Sequence, residues 1–289
     1  MTILADSRLR RRWAISGAFR WLCRGITMFG VLMLGVLIYQ VAEAGLPWLD
    51  WQFITSLPSR FPEKAGVKPA IWGTVWLVAL TALISVPVGI AAALYLEEYA
   101  HKGRISTFIE VNISNLAGVP SVVYGILGLA VFVRWFALGH SVLAGALTMS
   151  LLILPVVITS SREAVRAVPD SLRHAALALG STRWQMIRYH VIPAALPGIL
   201  TGVILSLSRA IGETAPLILV GAAVYIGFTP DSPMSEFAVL PLQVYEWSGR
   251  PQSEFRELAA AGILVLLVVL VVMNASAVYL RHRFQKGRS

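Results

Sequence analysis

The hydrophobic positions of this chain gather into six long runs, near 26–45, 70–96, 111–133, 140–160, 192–224 and 258–280. Crossing the hydrocarbon core of a bilayer takes about 20 mostly apolar residues, so each run predicts a transmembrane helix. The gaps between runs are too short for a separate soluble domain. An all-α, polytopic membrane protein with six transmembrane helices follows. It divides into 1–69, with a basic N-terminus, the first span and an outer loop, and 70–289, which carries the other five spans. Composition agrees: 57% of the 289 residues are hydrophobic and 13% charged, with a mean hydropathy of +0.72.

A net charge of +9 raises the prospect of nucleic acid or an anionic membrane surface as partner, so its placement decides. Arg8, Arg10, Arg11, Arg12, Arg20 and Arg24 precede the first run, and Lys102 and Arg104 lie between the second and third. Arg162, Arg166, Arg173, Arg183 and Arg188 fall between the fourth and fifth, and Arg281, Arg283, Lys286 and Arg288 close the chain. These gaps all lie on one side of an alternating topology; Arg60, Lys64, Lys68, Arg134, Arg250 and Arg256 lie on the other. The positive-inside rule puts both termini in the cytoplasm, and the charge reads as topology, not nucleic-acid binding. The Arg-rich start followed by Ala42-Glu43-Ala44 imitates a cleavable signal peptide, but the apolar run from Ile26 to Ala42 is long for one. A retained anchor is expected. Cys23 is the single cysteine, so no intrachain disulfide forms, and it is assigned no role.

Between the fourth and fifth runs, "SREAVRAVPDSLRHAALALGSTRWQMIRYHVIP" is too polar for lipid and too patterned for a plain linker. Pro169-Asp170-Ser171 offers a helix start; Leu172, Ala175, Ala176 and Leu179 recur at helical spacing; Gly180 offers a stop. Ser181 or Thr182 can cap a second helix carrying Trp184, Ile187 and Arg188. So short a helix is marginal alone in water. Its apolar stripe must therefore pack, either on the chain's own membrane helices or on a cytoplasmic partner. A DNA-reading helix-turn-helix is excluded, because both ends are tethered at the bilayer.

The chain carries no energy source of its own. A P-loop needs Gly-Lys followed by Ser or Thr to hold phosphates, and none of Lys64, Lys68, Lys102 and Lys286 has that setting. His101, His140, His174, His190 and His282 are scattered, and no spacing suggests a catalytic, metal or cofactor site.

In the fifth run, "SLSRAIGETAPL" places Arg209 and Glu213 among apolar residues. One charge at a helix centre costs about 2.5–3.5 kcal/mol on insertion scales. At i, i+4 the two share a face and can pair. Pro216 cannot donate to the carbonyl of Gly212, so a kink is expected beside them. The pair is either structural glue or part of a transport path. Gly198 and Gly202 form a G-x-x-x-G suited to close helix approach. In the third run, Gly118, Pro120, Gly125 and Gly128 either loosen the helix, with Ser121 and Tyr124 adding hydroxyls, or permit tight packing.

The segment from His174 to Pro193 resembles the EAA loop of bacterial ABC importer permeases. Ala175, Ala176, Gly180 and Pro193 match, Ile192 stands for a leucine, and His174 and His190 replace the usual Glu and Ile. The strings "PVGIAAALYLEEYA", "NLAGVPSVVYGILGLAVF", "LPGILTGVILSLSRAIGETAPL" and "LPLQVYEWSGRP" are similar to permease subunits of phosphate importers, the PstA type. The resemblance implies an ABC type I importer permease fold with a cytoplasmic coupling helix in an EAA loop over 162–193. Asp170, Leu172, His174, Ala175, Ala176, Leu179 and Gly180 would contact the ATPase. It further implies a bacterial inner membrane, a homologous second permease subunit, two copies of an ATP-binding subunit and a periplasmic phosphate-binding protein. Sulfate and molybdate permeases share the loop, so another oxyanion is the alternative substrate; an ATP-independent secondary transporter or channel is the alternative class. Phosphate needs hydrogen-bond donors and positive potential, which an arginine fork supplies. Arg209, Glu213, Ser121 and Tyr124 are the path candidates, with Arg209 either touching phosphate or pairing with Glu213 as a gate. The outer segment from Tyr225 to Glu257 is either a solvated cover over the helices or the docking surface for the binding protein.

Overall fold

The computed structural model describes residues 3–101, 103–222 and 225–286. Lys102, Arg288 and the end of the fifth predicted run at 223–224 lie outside them. Every regular element among the described residues is helical. α1 (Ile3–Gly45) extends the first predicted span back through the Arg-rich start as one 43-residue helix. From Arg12 onward its side chains are exposed nearly throughout, and it meets the body at its far end, where Gly45 lies against the backbone of Ala260 and Ala261. Any Cβ there would collide. α2 (Trp51–Thr55) is capped by Asp50, which accepts from the Phe53 amide at 2.7 Å, and buries Phe53.

α3 (Lys68–Leu94) continues into a π-helical turn, Tyr95–Tyr99. α4 (Arg104–Ala117) and α5 (Ser121–Gly128) follow, the latter running into a π-helical stretch, Leu129–Trp135. α6 (Val142–Arg166) is the most enclosed long helix, packed between α3 and α9 (Ile192–Gly212). Between α6 and α9 come α7 (Asp170–Ala178) and α8 (Arg183–Met186); beyond α9 lie α10 (Ala215–Val220), α11 (Leu240–Ser248) and α12 (Ser253–Lys286). Close helix approach explains the small residues. Gly198 faces Ala164, and Gly202 faces Ser160, so the G-x-x-x-G is the α9 surface that lies on α6.

Five described helices are long and apolar enough to cross a membrane, and a sixth crossing exists if the bent pair α4 and α5 counts as one. That pair covers the third predicted span, which is not continuous: it turns through 100° over Gly118–Pro120. Pro120 is extended, with ψ 138°, and the Tyr124 hydroxyl donates to the Leu116 carbonyl at 2.8 Å, tying the two halves across the corner. Gly125 and Gly128 instead serve packing, against Pro216 of α10 and Thr148 of α6.

The fifth predicted span is also shorter than expected. α9 stops at Gly212, Glu213 is extended with ψ 122°, and α10 begins afresh at Ala215. Pro216 offers no amide to the Gly212 carbonyl, so the ladder breaks outright rather than kinking. The outer segment differs most. Tyr225, Phe228 and Met234 are exposed, but Phe237, Ala238, Val239, Leu240, Leu242 and Trp247 are fully buried. This part is a plug, not a solvated cover. The Leu240 amide donates to the Thr74 hydroxyl at 3.0 Å, and Trp247 packs on Phe53 with ring centroids 5.9 Å apart. α12 then returns toward the α7 end, where Arg281 donates to the Thr201 hydroxyl at 3.0 Å.

Candidate functional site

Local sequence builds α7 as expected. Pro169, extended at ψ 138°, precedes the first turn; Gly180, at φ +83°, closes the last one, where its amide and that of Ser181 donate to Leu177 and Ala176. Thr182 and Gln185 then form a reciprocal capping box that starts α8. The apolar stripe does not all face one way. Leu172 and Ala176 point into the core, whereas Ala175, Leu177, Ala178 and Leu179 face outward, with Leu179 87% exposed. His174 is exposed beside them. One helix thus packs on its own bundle and presents a second, uncovered apolar surface.

The same end holds an ionic network built on Glu97 and Glu98, two residues that helical spacing did not single out. Glu97 accepts from Arg162 at 3.1 Å and from Arg166 at 3.0 Å, and Arg162 also reaches Glu110 of α4 at 2.7 Å. Glu98 is buried and accepts from Arg173 of α7 at 2.9 Å. Arg173 donates further to Asp170 and to the carbonyls of Val165 and Val168, where α6 ends and the chain turns into α7. Two adjacent carboxylates closing an apolar run were the available signal, since such a pair can be buried only opposite cations.

Arg209 and Glu213 do pair, across the end of α9, with Nε and Oε1 3.5 Å apart. The contact is long and single, and the Arg209 side chain is 64% exposed against 20% for Glu213. Arg209 and Tyr124 line one small cavity with Ser206, Leu116, Ala117 and Ile153, about 20 Å³ in volume. Ser121 sits half-buried on the first turn of α5 and does not line it. The structure thus brings Arg209 and Tyr124 to one cavity at the α4–α5 corner, with Glu213 joined through Arg209, and leaves Ser121 to one side. No group of His, Cys, Asp and Glu among the described residues could hold a metal ion.

Long apolar helices around a broken span, with a short helix that leaves an apolar face uncovered at one end, describe a polytopic membrane protein. Among solved structures, the chain resembles a bacterial alginate ABC transporter in complex with its alginate pentasaccharide-bound periplasmic protein. The TM-score is 0.67 at 15% identity, over 92% of this chain and 96% of that one. It also resembles the inward-facing MetNI methionine ABC transporter, with a TM-score of 0.58 at 13% identity, over 74% and 94%. Such identities speak for the fold alone. Residues 85–286 match the binding-protein-dependent transport system inner membrane component family, and the chain belongs to it. Among its relatives, the phosphate transport system permease protein PstA of Xylella fastidiosa is 32% identical over 98% of this chain and 99% of its own. PstA 1 of Mycobacterium tuberculosis is 35% identical over 84% of each, and the probable ABC transporter permease protein YqgI of Bacillus subtilis 31% identical over 90% and 91%. The chain is therefore a multi-pass inner-membrane permease subunit of an ABC importer.

Proposed function

We propose that this permease imports inorganic phosphate, paired with a second permease and driven by two copies of an ATP-binding subunit seated on α7. The observation that carries the reading is Arg209: a guanidinium in the last turn of a membrane-crossing helix, mostly exposed and holding Glu213 by one long contact. A charge at that depth is tolerated where it faces protein or a water-filled path. Phosphate accepts hydrogen bonds on every oxygen and carries the complementary charge, which suits the donors that Arg209 leaves open. The names of the Xylella and Mycobacterium relatives support phosphate as the ion.

The cavity beside Arg209 has room for about one water, too little for phosphate. The ion therefore passes where the exposed face of Arg209 meets the second permease. Tyr124, whose hydroxyl holds the corner through Leu116, and Ser121 on the next turn join the path when that corner opens. Binding of phosphate competes with Glu213 for Arg209, which makes the pair a gate as well as a contact.

The outward apolar face of α7 suits the ATP-binding subunit, and the basic residues around it support a cytoplasmic position for that end and for both termini. A periplasmic phosphate-binding protein then docks at the opposite end, near Tyr225, Phe228 and Met234, which remain exposed. ATP-driven closure displaces α7, and the attached helices alternate between inward and outward access. The test is ATP hydrolysis and uptake by the reconstituted complex with each oxyanion and its binding protein. Phosphate is expected to stimulate both. Stimulation by sulfate or molybdate instead, or phosphate transport by the isolated chain without ATP, overturns the proposal.

A further inference from the structure

The turn Tyr95–Tyr99 at the end of α3 has a role the path and the docking face leave unexplained. Three consecutive residues on it hold three different elements. Glu97 ties to Arg162 and Arg166 of α6, Glu98 to Arg173 of α7, and the Tyr99 ring lies under the Arg183 guanidinium of α8 at 5.1 Å. Through Arg162 the same cluster reaches Glu110 of α4. The turn is π-helical, a widened geometry that occurs often at functional sites.

We propose that this turn is the junction through which displacement of α7 reaches α3, with Glu98 as the positioning residue. This rests on α7 being the ATPase-docking helix. Apart from Arg173, α7 meets the bundle core through Leu172 and Ala176, which are apolar and allow sliding. The Glu98–Arg173 pair does not. Its side chains are 6% and 14% exposed, and separating them strands a charge away from water. Arg173 also grips the last carbonyls of α6, so α7, the end of α6 and the end of α3 move together. α3 then carries the movement to its other end, where Gly73 lies against the Ala238 carbonyl and Thr74 accepts from the Leu240 amide. One continuous helix thus links the docking end to the buried outer plug.

The test uses the reconstituted importer and reads phosphate taken up per ATP hydrolysed. Glu98→Gln is expected to assemble and hydrolyse ATP, while uptake per ATP falls about tenfold, within the usual range of site-to-site coupling; Glu98→Asp recovers part of it. Native uptake per ATP in Glu98→Gln overturns the proposal. If that variant fails to assemble, Tyr99→Leu and Arg183→Gln decide, because they cut a partly exposed contact of the same turn: a lowered ratio supports the junction and a native ratio overturns it. Failure of the phosphate reading shows separately, as no ATP-driven phosphate uptake by the unsubstituted complex. The ratio is then read with whichever oxyanion stimulates hydrolysis.

Discussion

The charges at the α7 end and at the α4–α5 corner are held in opposite ways. At the α7 end, Glu97 and Glu98 meet three guanidinium groups at 2.9–3.1 Å, and Arg173 is enclosed by four acceptors. At the α4–α5 corner, Arg209 has one contact at 3.5 Å and an open side. A charge satisfied within its own chain is a tie; a charge left half satisfied retains capacity for another ligand. On the proposed reading, the contrast separates what transmits force from what meets the substrate.

The largest effect should come from breaking the enclosed pair completely. Glu98→Ala removes the buried carboxylate from Arg173 and leaves only the exposed Asp170 as counter-charge, which costs up to about 3–5 kcal/mol. Thermal unfolding of the purified complex should show it, while Arg209→Ala stays within about 0.5 kcal/mol of the parent, as exposed positions do. Equal losses in the two variants would erase the distinction between them.

Next comes the open charge. Hydrogen bonds to charged groups contribute about 1.5–3 kcal/mol each, so Arg209→Gln should lower phosphate uptake about 10- to 150-fold while the complex assembles normally. Uptake assays on matched amounts of assembled complex check this. Normal uptake would return Arg209 and Glu213 to the status of structural glue.

The open pair was legible in sequence for the reason the tie was not. Arg209 and Glu213 are four residues apart, so helical spacing alone brings them together, and a charge inside an apolar run announces itself. Glu98 and Arg173 are 75 residues apart; Glu98 ends an apolar stretch and Arg173 lies in a polar segment, and in both settings a solvated charge is unremarkable. Only the packing of α3 against α6 makes them neighbours. The capping residues of α7 and α8 were readable because Gly180 and Thr182 act within one turn. The division of the α7 stripe was not, since spacing puts Leu172 and Ala176 near Ala175 and Leu179 without saying which side the bundle lies on. The plug at 237–247, FAVLPLQVYEW, is apolar but too short to cross a bilayer, and the prolines and acidic residues on either side of it read as a loop; its Gln243 and Trp247 are both buried.

The smallest effect distinguishes members of the network itself. Arg162 and Arg166 both bind Glu97, but Arg162 is mostly enclosed and bridges to Glu110, whereas Arg166 is 64% exposed. Arg162→Gln should therefore cost about 1.5–3 kcal/mol through its charged hydrogen bonds. Arg166→Gln should cost no more than about 1 kcal/mol, the usual yield of an exposed ion pair, and that cost should shrink further as salt rises. Thermal unfolding of both variants at low and high salt reads the difference. If the two cost the same, and both fade with salt, Glu97 is held from solvent rather than from within, and the network at the α7 end is no more a tie than the pair at Arg209.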